Sequence, residues 1–174
     1  LTDDDSAGWF DDRWLIKKAE EYAFKDIPEE LTSSFVGLVL KRVDIIAPSL
    51  ALAQAANESA WGTSRFARQG NNLFGMHATD GSGMVPKRRA AGQKFTVAAY
   101  DSPRDSIEAY VYNINTKGSY RRLRQIRASL RAKGSVISGY ALANGLGNYS
   151  ERGSAYIAEL QSMISSNNLG QYDE

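Results

Sequence analysis

The chain has no cysteine and a single histidine, His77. Without cysteine there can be no disulfide framework, no thiolate zinc site and no cysteine nucleophile. One histidine cannot build a multi-histidine metal centre, and with only Asp80 nearby in sequence His77 reads as a structural or solvent-facing residue. Any chemistry is left to carboxylates, hydroxyls and phenols, and no cofactor or metal is expected. No run of about 18 apolar residues occurs, so no membrane-spanning helix is expected. Excess charge of one sign is also missing: the formal net charge is +1, unlike the strongly basic balance of many nucleic-acid binders. Leu1 stands where an initiator Met would, which suggests a mature or trimmed chain.

What is present fits one globular domain over residues 1–174, with 43% hydrophobic and 24% charged residues. Residues 1–12 are polar and acidic and read as a loose arm, with helical pattern starting near Trp14. Three of the four prolines mark helix starts: Pro28, Pro48 and Pro103. The last has the fullest signal, since Ser102 can cap, Pro103 takes the first helical position and Asp105 completes a capping box. Behind it Ile107, Tyr110, Val111 and Ile114 make one apolar face. Further helices are expected over Tyr120–Ala132, with Leu123, Ile126 and Leu130 inward, and over Glu151–Ser165, with Ile157, Leu160 and Ile164 inward. Between Gly70 and Tyr100 the pattern turns to glycines and short apolar pairs, which predicts a small β-hairpin region in a mainly helical α+β chain.

The helix opened by Pro48 runs to Glu58 just ahead of Ser59, Ala60, Trp61 and Gly62. A carboxyl at a helix C-terminus faces the negative end of the dipole, and an adjacent Trp61 can exclude water; both favour the protonated form. A protonated carboxyl is what a glycosidic leaving oxygen needs. Spacing alone nevertheless favours a solvated glutamate at a helix end.

The stretch AQAANESAWGTSRFARQGNNLFGM, followed by Tyr100, Asp101 and Ser102 ahead of a helix and then by GLGNYSERGSAYIAEL, resembles the glucosaminidase family of peptidoglycan hydrolases, glycoside hydrolase family 73, in its Bax-like branch. The resemblance covers about Ile45 to the C-terminus and implies a lysozyme-like fold, with a cleft between a helical lobe and a small β-hairpin lobe. It implies an endo-β-N-acetylglucosaminidase acting on cell-wall glycan strands in the periplasm or outside the cell, as a monomer, with Glu58 as the acid. Tyr149 matches a tyrosine that lies near that glutamate and assists it. A lytic transglycosylase or a catalytically silent wall-binding module would carry the same pattern.

Candidate substrate contacts are Trp61, Asn72, Phe74, Asp80 and Tyr156. Scaffold roles compete at several of them. Asn71, Leu73 and Phe74 suit a packed turn, Tyr156 suits a helical core face with Leu160, and Asp80 in T-D-G-S-G suits a turn. Where relatives carry a β-lobe glutamate this chain reads VPKRRAAG, with Arg88 and Arg89, so a second catalytic carboxylate is expected to be missing and the substrate's own N-acetyl oxygen to act in its place. From Ala109 to Ser150 no acidic residue occurs, while Arg121, Arg122, Arg124, Arg127 and Arg131 crowd one helix. That helix reads as a solvated face, with attraction to an anionic wall preferred over nucleic-acid binding.

Overall fold

The computed structural model describes residues 11–87, 89, 92–147, 149 and 152–174. Of the expected acidic arm, residues 1–10 lie outside that range. Asp11 and Asp12 instead belong to a helix, because the Asp11 carboxylate accepts the backbone N–H of Arg13 at 3.1 Å and caps α1 (Asp12–Glu21). Leu15 and Ala19 of α1 pack on Phe35 and Val39 of α2 (Ser33–Arg42), with Phe24 edge-on to Phe35. The start expected at Pro28 is displaced to Thr32. Its Oγ1 accepts the Phe35 N–H at 3.3 Å, supplying the acceptor that residues 29–31 lack as a cap.

The larger core gathers around α3 (Pro48–Glu58), which contacts α7 (Gly139–Ala143), α8 (Ser154–Ser166) and a closing 3₁₀ turn (Leu169–Tyr172). Leu50, Ala53, Leu142, Leu160 and Ile164 are all buried there. Ala47 offers α3 no side-chain cap. The acceptor comes from Asp173, whose carboxylate takes the Ser49 N–H at 2.9 Å, the Ser49 hydroxyl at 2.6 Å and the Gly139 N–H at 2.9 Å. A short helix, α4 (Arg65–Gly70), follows α3.

The capping box of α5 (Pro103–Thr116) forms as the sequence indicates, with both Ser102 and Asp105 engaged. Its buried face, however, runs through Ser106, Tyr110 and Ile114, and Ile107 is exposed. The reason is polar: Ser106 Oγ accepts the Leu73 N–H at 3.1 Å, which turns the helix by one position toward the loop after α4.

The helix α6 (Arg121–Ala132) corrects the solvated-face expectation. Arg127 is 0% exposed and Arg124 is buried, while Arg121 and Arg122 stay in solvent. Arg127 donates to the carbonyls of Ile45 at 2.6 Å and Lys41 at 2.9 Å, and Arg124 to those of Ile114 at 2.6 Å and Lys117 at 2.9 Å. These carbonyls lie at or just beyond the C-terminal ends of α2 and α5, where backbone acceptors lack partners and a cation meets the negative end of the dipole. Asp44 completes the network, with Arg131 bidentate on it and Arg127 Nε at 3.3 Å.

Between α4 and α5 the expected hairpin region contains no strand among the described residues. Antiparallel pairing is limited to two single bridges, His77 with Val97 and Met84 with Val97. Glycines interrupt the extended backbone. Gly83 has φ +94°, and any side chain there would run into the Val97 carbonyl.

Candidate active site

Glu58 is the last residue of α3, and the chain leaves the helix abruptly behind it. Ala60 and Trp61 both adopt left-handed backbone, at φ 50° and 56°, a conformation that costs about 1–2 kcal/mol per non-glycine residue. The Trp61 N–H returns to the Ala56 carbonyl at 2.7 Å and closes the helix. That turn leaves the Glu58 carboxyl at the negative end of α3, facing α8.

One carboxyl oxygen is held and the other is free of protein donors among the described residues. Tyr156 Oη donates to Glu58 Oε1 at 2.9 Å. On the other side stands Gly75, at φ +64°, where an added Cβ would come within 3.4 Å of Oε2. With glycine there, no side chain of this turn stands against Oε2. Burial raises the Glu58 pKa above the usual carboxylate value, the Tyr156 hydrogen bond opposes the rise, and the charge of Glu159 on α8 adds to it.

Three phenols cluster beside the Glu58 carboxyl. Tyr149 stacks on Tyr156 with ring centroids 5.1 Å apart, and Tyr120 lies tilted against Tyr149 at 6.1 Å. Burial pushes all three hydroxyls upward, Tyr120 to about 12 and the other two further, so each remains a proton-bearing donor at neutral pH. Behind Tyr156 lies a polar chain with no access to solvent: Gln54 Nε2 donates to Tyr156 Oη at 3.1 Å, and Tyr110 Oη donates to Gln54 Oε1 at 2.7 Å.

The residues singled out from sequence therefore divide. Glu58, Tyr149 and Tyr156 come together. The helical tyrosine, expected as core packing, is the one bonded to Glu58, and the loop tyrosine stacks behind it. Trp61 does not sit over the Glu58 carboxyl; it is 66% exposed and lines an apolar cavity of about 500 Å³ with Leu52, Leu73, Met163 and Leu169, on the neighbouring face of α3. Asn72 is buried with its amide spent on the backbone of Met76 and Ala98, and Phe74 is buried in a stack on Tyr110 at 3.9 Å. Asp80 is exposed and turned onto its own loop, accepting from the backbone and hydroxyl of Ser82. Arg88, expected to stand in place of a second catalytic carboxylate, lies outside the described residues. Among the described residues no group of three or more His, Cys, Asp or Glu side chains could hold a metal.

Sequence reasoning missed Gln54, Tyr110 and Glu159. Gln54 had a usable signal, since it lies four residues before Glu58 on one helical face beside Leu50. Glu159, three residues after Tyr156 on α8, had a similar one.

A half-buried carboxyl flanked by phenols at the end of a core helix can hold a proton and give it up. Residues 37–169 match the glucosaminidase family, described as mannosyl-glycoprotein endo-beta-N-acetylglucosaminidase, and the chain belongs to that family of glycoside hydrolase domains. It is 33% identical over 183 residues to protein bax of Escherichia coli (strain K12), covering 96% of this chain and 65% of that protein. The chain thus spans about two thirds of the length of this relative. The catalytic domain of the autolysin Auto from Listeria monocytogenes shares the fold, with a TM-score of 0.55 and 23% identity over 94% of this chain and 98% of that domain.

Proposed function

We propose that the chain hydrolyses glycosidic bonds of peptidoglycan as an endo-β-N-acetylglucosaminidase, with Glu58 as the general acid. The observation that carries this reading is the Glu58 carboxyl itself, raised in pKa by burial at the end of α3 and open at Oε2. Membership of the glucosaminidase family supports the bond class, and a fold shared with an autolysin supports a cell-wall substrate. In this reading the loop from Met76 to Ala98 is the small lobe of a lysozyme-like cleft, across which the glycan lies. Glu58 protonates the leaving oxygen from Oε2, while the substrate's N-acetyl oxygen, steadied by Tyr149, meets the developing positive charge at the sugar carbon. The enzyme works in the periplasm or outside the cell, as a monomer and without a cofactor.

Mass spectrometry of fragments released from purified peptidoglycan tests the proposal. Reducing-end N-acetylglucosamine products that disappear in Glu58→Gln are expected. Anhydromuramic ends would replace hydrolysis by a lytic transglycosylase reaction, and retained binding with no product from the unaltered chain would leave a wall-binding module.

A further inference from the structure

We infer that Gln54 is a positioning residue: it fixes the direction of the hydrogen-bond chain Tyr110–Gln54–Tyr156–Glu58, so that Oε1 of Glu58 only accepts and the acid proton is carried on Oε2. The inference rests on the reading of Glu58 as the acid and deepens it.

The three supporting side chains are sealed from solvent, with Gln54 0% and Tyr110 and Tyr156 each 2% exposed. An amide has one accepting end and one donating end, whereas a phenol has a single proton. Tyr110 spends its proton on Gln54 Oε1 at 2.7 Å, Gln54 Nε2 donates to Tyr156 Oη at 3.1 Å, and Tyr156 must then spend its own proton on Glu58 Oε1 at 2.9 Å. The reverse order makes the same number of bonds, but it needs a proton on Oε1 and the Gln54 amide turned end for end inside a packed core. An ionised Glu58 cannot sustain it. When Glu58 takes up a proton, Oε2 can receive it with no rearrangement behind Tyr156. That oxygen faces Gly75, where no side chain intervenes, so the proton rests on the side from which a leaving oxygen can collect it. The amide donation also polarises the Tyr156 hydroxyl and strengthens its bond to the carboxylate.

The direction of the effect follows. Tyr156 lowers the Glu58 pKa against the larger effect of burial, so weakening its donation raises that pKa further. The other titratable groups acting on Glu58 are Glu159 on the same helix, Tyr149 on the loop before it and Tyr120 after α5, and none is altered below.

The test is a pH titration of the Glu58 carboxyl by carbon-13 NMR, run beside the pH–rate profile on purified peptidoglycan. The double variant Gln54→Met/Tyr110→Phe removes both buried polar partners together and keeps their volume. It should move the Glu58 titration and the alkaline limb of the rate profile to higher pH, with a rate loss of roughly two- to tenfold at the optimum. Tyr156→Phe should move both further in the same direction, and adding the double change to it should move them no more. Tyr110→Phe alone, the mildest variant, should shift both slightly and covers the case in which the double variant fails to fold. A uniform rate loss at every pH with an unmoved titration, in either Gln54→Met/Tyr110→Phe or Tyr110→Phe, would reduce the chain to packing and overturn the inference. Full activity in Glu58→Gln alongside shifted titrations would instead fault the assignment of Glu58 as the acid.

Discussion

The Asp44 network and the Glu58 network are both polar chains sunk in apolar surroundings, and they end differently. At Asp44 each carboxylate oxygen meets a cation, Oδ1 from Arg131 and Oδ2 from Arg131 and Arg127, and the Ile45 N–H adds a further donor. At Glu58 one oxygen is bonded by Tyr156, and among the described residues the other has no donor and neither meets a cation. Burial pushes both pKa values up, but at Asp44 the arginines reverse the shift and at Glu58 nothing does. A closed network holds the fold, whereas an open one, in the function proposed above, retains a proton that can be given away.

Four variants would break or sharpen this contrast. The largest effect is expected from Glu58→Gln, which should lower activity by about a hundred- to ten-thousandfold. Its stability at neutral pH should be equal to or above that of the parent. Because the folded pKa is raised, ionising Glu58 costs stability as pH rises from the unfolded value through the folded one, and Gln removes that cost. Denaturant midpoints at pH 4 and pH 7 would check the sign. Arg127→Met should do the opposite, costing about 3–5 kcal/mol of stability by stripping a buried partner from Asp44 and from the α2 carbonyls, with activity per folded molecule unchanged. Asp44 has a depressed folded pKa, so its stabilisation is present above the ordinary value of 3.8 and lost as pH falls below it.

Asp173→Ala should cost about 1–3 kcal/mol, since three donors lose one acceptor, and a melting curve would read it. The smallest effect on stability belongs to Arg121→Glu/Arg122→Glu, within roughly 0.5 kcal/mol because both side chains are exposed. If the solvent side of α6 draws the protein to an anionic wall, this pair should weaken sedimentation with peptidoglycan most at low salt. An unchanged salt profile would remove that role.

Much of the helical framework could be read from the chain. The Ser102–Asp105 box announces its helix through local geometry that needs no tertiary partner, Pro48 marks the first turn of α3 although its acceptor comes from Asp173, and the motif around Glu58 singles out the carboxyl that meets Tyr156. What could not be read was orientation between distant segments. Whether Tyr149 or Tyr156 reaches Glu58 depends on how α8 is rotated against α3 across 98 residues, and helical periodicity places Tyr156 on the inward face without saying what polar group it meets there. Arg124 and Arg127 look like solvent residues because charge is visible in sequence, whereas the carbonyls that need them lie at the ends of other helices. The hairpin region failed for a local reason, since several of its glycines adopt left-handed turns and do not extend.

The clamp at Asp173 gives the helix that bears Glu58 a schedule. The acceptor for the first turn of α3 lies 124 residues downstream, so during synthesis Pro48–Glu58 emerges long before the group that caps it exists. Tyr156 and Gln54, 102 residues apart, face the same delay. Loop closure over such spans is entropically slow, and contacts of long separation form late. Glu58 and its supports therefore become organised only after most of this sequence has been made, while α1 and α2 can pair with each other early and meet α5 and α6 later. A nascent chain stalled before residue 154 would hold Glu58 on an uncapped helix with neither Tyr156 nor Glu159 beside it, and on the function proposed above it would be inactive.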